Sequence, residues 1–384
     1  MSDHSDRMVA VIGLGAIGSM TLLSLARRGI PAIGFEQSSP GDDMGAYGGY
    51  SRQFRLASHD SHGRQHITLA GESLDLWREL EQVTGETLYI RAGQLGVGTA
   101  DDPDITALLR CLQTEGLDHQ VLASADLMRR FPQHLLAHDE IGVYSVEAGV
   151  LRSNRAVRAA VEEAQRLGAV VYPNGRVQSI EPFPGGVRVI VNGEQRTVDH
   201  AVVTTGPWVG ELIPGMRAAV TVRRIVNTWF EPATGESFDS ATFPPGFRRS
   251  RSGNSYTFLP GVDGTAAKFI FWIPMRPVID NPSNWDRNGD SETVESTRRA
   301  LLSTMRGVAQ TPRAVRSYME GFTPDRWPVV GRVSNEITVL TGFSGSGFAI
   351  APVMGEIAAD LAADGVTRRD IANMSPRRFD LMNI

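Results

Sequence analysis

The stretch from Gly264 to Pro274, GTAAKFIFWIP, contains Lys268, the sole lysine among 38 lysine and arginine positions. Lysine ordinarily lives on a wet surface, so an ammonium inside an apolar strand needs a reason. Two readings are open from the residue alone. The side chain snorkels from an edge strand and keeps its charge in water, or it is a desolvated amine with a pKa tuned for chemistry. Strand alternation sets Lys268, Ile270 and Trp272 on one face and Phe269, Phe271 and Ile273 on the other.

A second constellation sits near the N-terminus, in MVAVIGLGAIGSMTLLSLARRGIPAIGFEQ. Met8 to Leu14 is a β-branched apolar run suited to a buried parallel strand. Gly13, Gly15 and Gly18 form G-x-G-x-x-G at its junction with a helix. Gly13 permits the tight turn, Gly15 lets a pyrophosphate approach the backbone, and Gly18 lets helix and strand pack closely. The helix start offers free amides and a positive dipole end to phosphates. Glu36 ends the next strand about 20 residues on, where an acid accepts hydrogen bonds from ribose hydroxyls. It suits NAD or FAD and disfavours a 2′-phosphate, and the motif does not separate the two.

Histidines give a weaker signal. His59, His62 and His66 crowd RLASHDSHGRQHITLA, and His62 with His66 has H-x-x-x-H spacing. No acidic third ligand stands at helical spacing, so no metal site is assigned. The segment reads as a solvated loop, with a mobile lid carrying a histidine near the substrate as the alternative. The remaining histidines, His4, His119, His134, His138 and His200, fall in polar contexts and read as surface.

The elements that must hold these groups come from a chain of 384 residues, long enough for two domains. Hydrophobic content of 41% and charged content of 21% describe a globular protein. Net charge of −5 and pI near 5.9 argue against nucleic acid or an anionic membrane as partner. Cys111 is the one cysteine, which excludes an internal disulfide and fits a reducing, cytoplasmic setting. No secretory signal and no membrane span are read.

After Glu36 a nicotinamide-binding domain would continue with more β–α units. Instead a Gly/Ser-rich loop leads to Ser51, Arg52 and Arg55, then to an amphipathic helix from roughly His66 to Thr84 with Leu69, Leu74, Trp77 and Leu80 on one face. Short strands follow in LYIRAGQLGVG. TVDHAVVTTGPWVGELI is a strand running into Thr205, Gly206 and Trp208. EITVLTGFSGSGFAIAPVMGEIAADLA is a strand, a loop with Gly342, Gly345, Ser346, Gly347 and Phe348, and a helix aimed at whatever lies above the loop. This order fits a flavoprotein better than a nicotinamide enzyme. The alternative is two ordinary strand–helix turns, with glycines serving backbone geometry only.

With YSRQFR, GVLRSNRAVRAAVEEAQRLGAVVYPNGRVQSIE, FTPDRWPVVG and GFSGSGF added to the glycine motif, the chain resembles the monomeric sarcosine oxidase and N-methyltryptophan oxidase family of FAD amine oxidases. That family has the D-amino-acid oxidase-like fold, and the likeness covers most of the length. The resemblance implies that Lys268 faces the flavin and helps dioxygen react, that Arg52 with Ser51 approaches the cofactor, and that Arg55 pairs with a substrate carboxylate. It places further cofactor contacts at Ala16, Ile17, Gln37 and Val177. Tyr256 and Trp272 are candidates to line the substrate pocket.

Three departures from the family pattern matter. Tyr318 stands six residues before Pro324, where relatives attach FAD to a cysteine, so non-covalent FAD is expected. Ser346 and Ala349 replace a histidine and a lysine of the glycine loop, and the lysine is the relatives' second carboxylate anchor. The loop around His59 is longer than in relatives.

The expected architecture is α/β plus α+β. A Rossmann-like FAD-binding domain is drawn from residues 1–88, 146–215 and 314–384, and a mostly antiparallel substrate domain from 89–145 and 216–313. The expected activity is oxidation of a C–N bond in a secondary amine or N-alkyl amino acid, free or carrier-linked, by a monomeric enzyme using dioxygen. A flavin dehydrogenase with another acceptor and an NAD-dependent dehydrogenase are the alternatives.

Overall fold

In the computed structural model, which describes residues 7–58, 63–233, 235–250 and 253–380, Val9–Ile12 is a fully buried strand. It pairs in parallel with Ala32–Phe35 on one side and His200–Val203 on the other. Val170–Tyr172 and Ile337–Thr341 extend the sheet in parallel, and Val329–Arg332 closes one edge in the antiparallel sense. Continuous apolar runs suit a sheet covered on both faces. Alternate residues go to opposite sides: Val9 and Val11 pack toward the helices Ala16–Arg27, Ser153–Arg166 and Ala351–Ala363. Ala10 and Ile12 pack toward the antiparallel ribbon around Val187–Val191. A Cβ at Gly355 would stand 2.5 Å from the Met20 carbonyl carbon, so that glycine lets two helices cross closely.

A second sheet runs, in spatial order, Ala314–Phe322, Thr221–Phe230, Ala267–Phe271, Tyr256–Leu259, Gly246–Arg248, Gln94–Thr99, Glu140–Ser145 and His119–Ala123. Its neighbours are antiparallel except for Gly246–Arg248 beside Gln94–Thr99. One face carries Phe230, Phe258 and Phe269 against Leu301 of the helix Ser291–Thr304. The expected fold class is therefore present. Ala314–Phe322, expected with the first domain, instead pairs along its whole length with Thr221–Phe230 in this second sheet. No helix among the described residues is long and apolar enough to cross a membrane.

Two histidines expected at the surface are buried. His134 is inaccessible and lies against the rings of Phe243 and Phe258, at 5.5 and 5.1 Å between centroids. His200, equally inaccessible, meets Thr338 Oγ1 at 2.9 Å through Nε2. Polar sequence neighbours hid both, yet Gln133 beside His134 is itself buried and His200 opens the fully buried strand His200–Val203. Burial holds each pKa down at about 3, with nearby arginines adding to it. The unfolded chain binds these protons near pH 6.5 and the folded chain does not. Their contribution to stability is therefore complete above pH 6.5 and falls as pH drops toward 3. At pH 5 each histidine should cost about 2 kcal/mol of folding free energy. Thermal melts of wild type and His134→Leu between pH 7 and 5 check this, and the variant should lose about half of the acid-induced drop.

Candidate active site

The first cavity opens where the glycine motif leaves the parallel sheet. Gly13 adopts φ +87° and donates its amide to Phe35 O at 2.8 Å, which shapes the turn. A Cβ at Gly18 would stand 1.9 Å from Gly13 O, so the helix start is pressed against the turn. At Gly15 a Cβ would meet only the Tyr47 ring, at 3.7 Å, so that side of the backbone is open to a ligand. No side chain caps the helix Ala16–Arg27, which leaves its first amides available. Glu36 accepts from Leu14 N at 2.8 Å and from Ser38 N and Oγ at 3.1 Å each. Burial raises its pKa while those bonds oppose the rise.

Ala16, Ile17, Gln37, Val177, Thr205, Gly206, Trp208, Gly345, Gly347 and Phe348 border this cavity together with Gly13, Gly15, Glu36 and Arg52. Gly18 serves the turn from behind. The Thr205 hydroxyl is buried with no hydrogen-bond partner among the described residues. An orphaned donor, free helix amides and a glycine cradle together fit the pyrophosphate and ribose of a dinucleotide. FAD chemistry is thus compatible with the residues present.

The second cavity adjoins the first. Ala46, Arg52, Glu320, Gly345 and Phe348 border both, and Ser51, Arg55, Ser346, Ala349, Trp272 and Lys268 border the second alone. Lys268 is 1% exposed. Its ammonium donates to Gly49 O at 3.1 Å and Ser51 O at 2.5 Å. Those carbonyls converge because the chain turns sharply through Gly49 and Tyr50, at φ +93° and +66°, with Ser51 N donating back to Gly49 O at 2.8 Å. Burial pushes the Lys268 pKa well below the ordinary lysine value, the Arg52 charge adds to this, and Asp43 opposes it. The snorkelling reading fails on this geometry.

Strand alternation places Ile270 and Trp272 on the cavity side with Lys268, while Phe269 and Phe271 face the core. Ile273 also borders the cavity, because the strand has ended at Phe271. Trp272 is 42% exposed, at the rim, with the Arg249 guanidinium 4.6 Å from its ring centroid. Tyr256 is a correction. It is fully buried, its hydroxyl meets Thr304 Oγ1 at 2.8 Å, and it borders neither cavity. Tyr256 pairs with Phe271 and Thr257 with Ile270, so Thr257 and Leu259 take the cavity face.

Arg52 donates through Nη1 to Ser51 O at 2.7 Å and through Nη2 to Ala46 O at 2.5 Å. The glycine loop is held from behind: Trp77 stacks on Phe348 and donates Nε1 to Ala349 O at 3.1 Å. That contact comes from the helix Gly63–Thr84, which starts earlier than expected. His66 on this helix is buried and borders the second cavity, contrary to the solvated-loop reading. His59 and His62 lie outside the described residues.

Sequence reasoning missed Glu320, which borders both cavities. Burial raises its pKa, while Arg276, Arg52 and Arg326 oppose the rise. Its place two residues after Tyr318 on one strand was an available signal. Arg276, in the irregular segment after Phe271, offered none.

A family model described as FAD dependent oxidoreductase matches residues 8–361. The chain belongs to that family. Membership decides for a flavin over the nicotinamide that the glycine motif left open, and the protein is an FAD-dependent oxidoreductase. Curated relatives of this flavoprotein include monomeric sarcosine oxidase of Streptomyces avermitilis, 30% identical, with 97% of each chain covered. N-methyl-L-tryptophan oxidase of Salmonella enteritidis is 26% identical, with 96% of this chain and 98% of that one covered. Among solved structures, NikD, an unusual amino acid oxidase essential for nikkomycin biosynthesis, superposes with a TM-score of 0.87 at 22% identity. That match covers 96% of this chain and 98% of NikD, and it shows a shared fold.

Proposed function

We propose that this flavoenzyme oxidises the C–N bond of a secondary amine or N-alkyl amino acid and passes the electrons to dioxygen, giving an imine and hydrogen peroxide. The observation that carries the reading is the sole lysine, buried in the cavity that adjoins the cofactor channel and shares that cavity with Arg55. When bound, FAD supplies the two-electron acceptor for the C–N bond.

The chain's own residues then have distinct tasks. Arg55 offers a planar guanidinium to a substrate carboxylate. Ala349 supplies no second charge there, so that carboxylate leans on Arg55. Lys268 supplies positive charge where negative charge develops as dioxygen is reduced. Arg52, at the junction of both cavities, favours an electron-rich cofactor. The named activities of the sarcosine and N-methyltryptophan oxidases, acting on N-methyl amino acids, agree with this assignment.

FAD is held without a covalent bond. Tyr318 is 4% exposed, its hydroxyl donates to Asp43 Oδ2 at 2.7 Å, and burial raises its pKa. A phenol so held is a poor nucleophile, and Cys111 lies in the helix Pro103–Thr114, bordering neither cavity. Acid precipitation should therefore release the yellow colour into the supernatant, and colour retained in the pellet would contradict this.

The test of the reaction is anaerobic titration of the yellow holoenzyme with primary, N-methyl and cyclic amines. Bleaching by an N-methyl amino acid, followed by one hydrogen peroxide per amine when oxygen is admitted, is the expected result. Absence of bleaching by any amine would overturn the assignment.

A further inference from the structure

The second cavity holds more positive charge than one amino-acid carboxylate can use. Arg55 enters from the strand Ser51–Arg55, and Arg276 and Arg326 enter from irregular segments that follow Phe271 and Phe322. Several of the cavity's arginines are already engaged, Arg52 with Ser51 O and Ala46 O and Arg223 with a backbone carbonyl among them. Arg249 pairs with Asp104 and lies over Trp272. Arg326 donates to Ser344 O at 3.3 Å.

Arg276 differs from them. Arg223 Nη1 donates to its backbone carbonyl at 2.7 Å, which fixes the segment in place. Its guanidinium makes no hydrogen bond and no ion pair with any described residue. Arginine does not shed its proton to escape burial, so a half-buried, unpartnered guanidinium calls for an anion. The carboxylate nearest in charge terms is Glu320, and it is shared: it also faces Arg52 and Arg326 and accepts from Gly345 N. Arg276 is its foremost charge partner, yet one carboxylate faces three guanidiniums and makes no hydrogen bond to Arg276, so positive charge is left over in this cavity.

We infer that the substrate carries a second anionic group, carboxylate or phosphate, beyond the one held at Arg55, and that Arg276 binds it. The inference rests on the amine-oxidase reading for the reacting bond, and it narrows the substrate to an N-alkyl amino acid with an acidic side chain or a phosphorylated equivalent. The bond chemistry is unchanged: amine and dioxygen give imine and hydrogen peroxide, and the second anion takes no part. Its role is to set where the N-alkyl carbon lies.

Calorimetric titration of the holoenzyme with unreactive probes tests this without turnover. Glutarate, 3-phosphopropionate and glutaramate, the last being glutarate with one carboxylate masked as an amide, are compared on wild type and on Arg276→Gln. One dianion should bind wild type at least roughly tenfold tighter than glutaramate, the scale of a charge-assisted contact. Whichever dianion is preferred identifies carboxylate or phosphate. The preference should fall to near unity in Arg276→Gln and survive in part in Arg276→Lys. Equal binding of dianions and glutaramate by wild type, no binding of either dianion, or an unaltered preference in Arg276→Gln would overturn the inference. If Arg276→Gln does not fold, the wild-type comparison alone decides. N-methyl-L-glutamate and N-methyl-L-glutamine then compare turnover. Should neither these nor any other amine bleach the enzyme, the amine-oxidase reading fails while the titration still reports on the second-anion subsite.

Discussion

Replacing Lys268 by methionine is expected to slow re-oxidation of the reduced enzyme by dioxygen on the order of 10²–10³-fold, the scale of losing one preorganised electrostatic stabiliser. Reduction by the amine should fall far less, because the side chain meets backbone carbonyls of the cavity wall and the substrate anchor is proposed at Arg55. Stopped-flow measurement of the two half-reactions separates these, and an equal loss in both would count against the role. The variant should fold. Gly49 O keeps its bond from Ser51 N, and Ser51 O keeps its bond from Arg52 Nη1, so neither carbonyl is orphaned.

The protonation argument adds a second readout. Burial lowers the Lys268 pKa well below its ordinary value, so the ammonium is lost as pH rises through that lowered value. Wild-type re-oxidation should decline toward alkaline pH earlier than an ordinary lysine would allow, and the decline should vanish in Lys268→Met. In the same window the unfolded chain binds the proton that the folded chain has shed, so stability rises with pH as the cost of the buried ammonium is relieved.

The second large effect is expected at the glycine turn, where two alanine substitutions should separate folding from cofactor binding. Gly18→Ala puts a methyl group 1.9 Å from Gly13 O and 2.6 Å from Thr204 Oγ1. The first of these is backbone, so the helix and the turn must move apart. Loss of bound FAD and a destabilisation of about 3 kcal/mol, the upper part of the usual cost of overpacking, should follow. Gly15→Ala meets only the Tyr47 ring, at 3.7 Å, so the fold should survive. Its methyl group enters the space that the pyrophosphate needs, so FAD should still be lost. Visible absorbance and thermal melting together distinguish the two. A yellow Gly18→Ala protein with a wild-type melting temperature would refute this account of the turn.

What was legible in the sequence follows from the same physics. Gly13, Gly15 and Gly18 serve backbone geometry, which depends on local chain conformation and so can be read locally. Lys268 was legible because its residue type conflicts with its apolar neighbours. Tyr256 was misplaced because alternation gives two faces but not which faces the core. The pairing of Tyr256 with Phe271 settles that, and it is a long-range fact. His134 and His200 were misread because their burial comes from Phe243, Phe258 and Thr338, all distant in sequence. Arg276 lies beyond the end of its strand, where no period operates, and its meaning depends on an absent partner. The sheet membership of Ala314–Phe322 was hidden for a related reason. The strand joins Thr221–Phe230 across nearly a hundred residues of chain, and nothing local announces that pairing.

The burial of the one lysine also makes the protein unusual as a substrate for digestion. An endoprotease that cuts only after lysine has a single cleavage point in this sequence, and that point lies in Ala267–Phe271, hydrogen-bonded between two neighbouring strands. Surface fraying cannot expose it, so a cut there records the sheet coming apart. The same scarcity leaves the outer surface without lysine side chains for amine-directed labels and cross-linkers to reach.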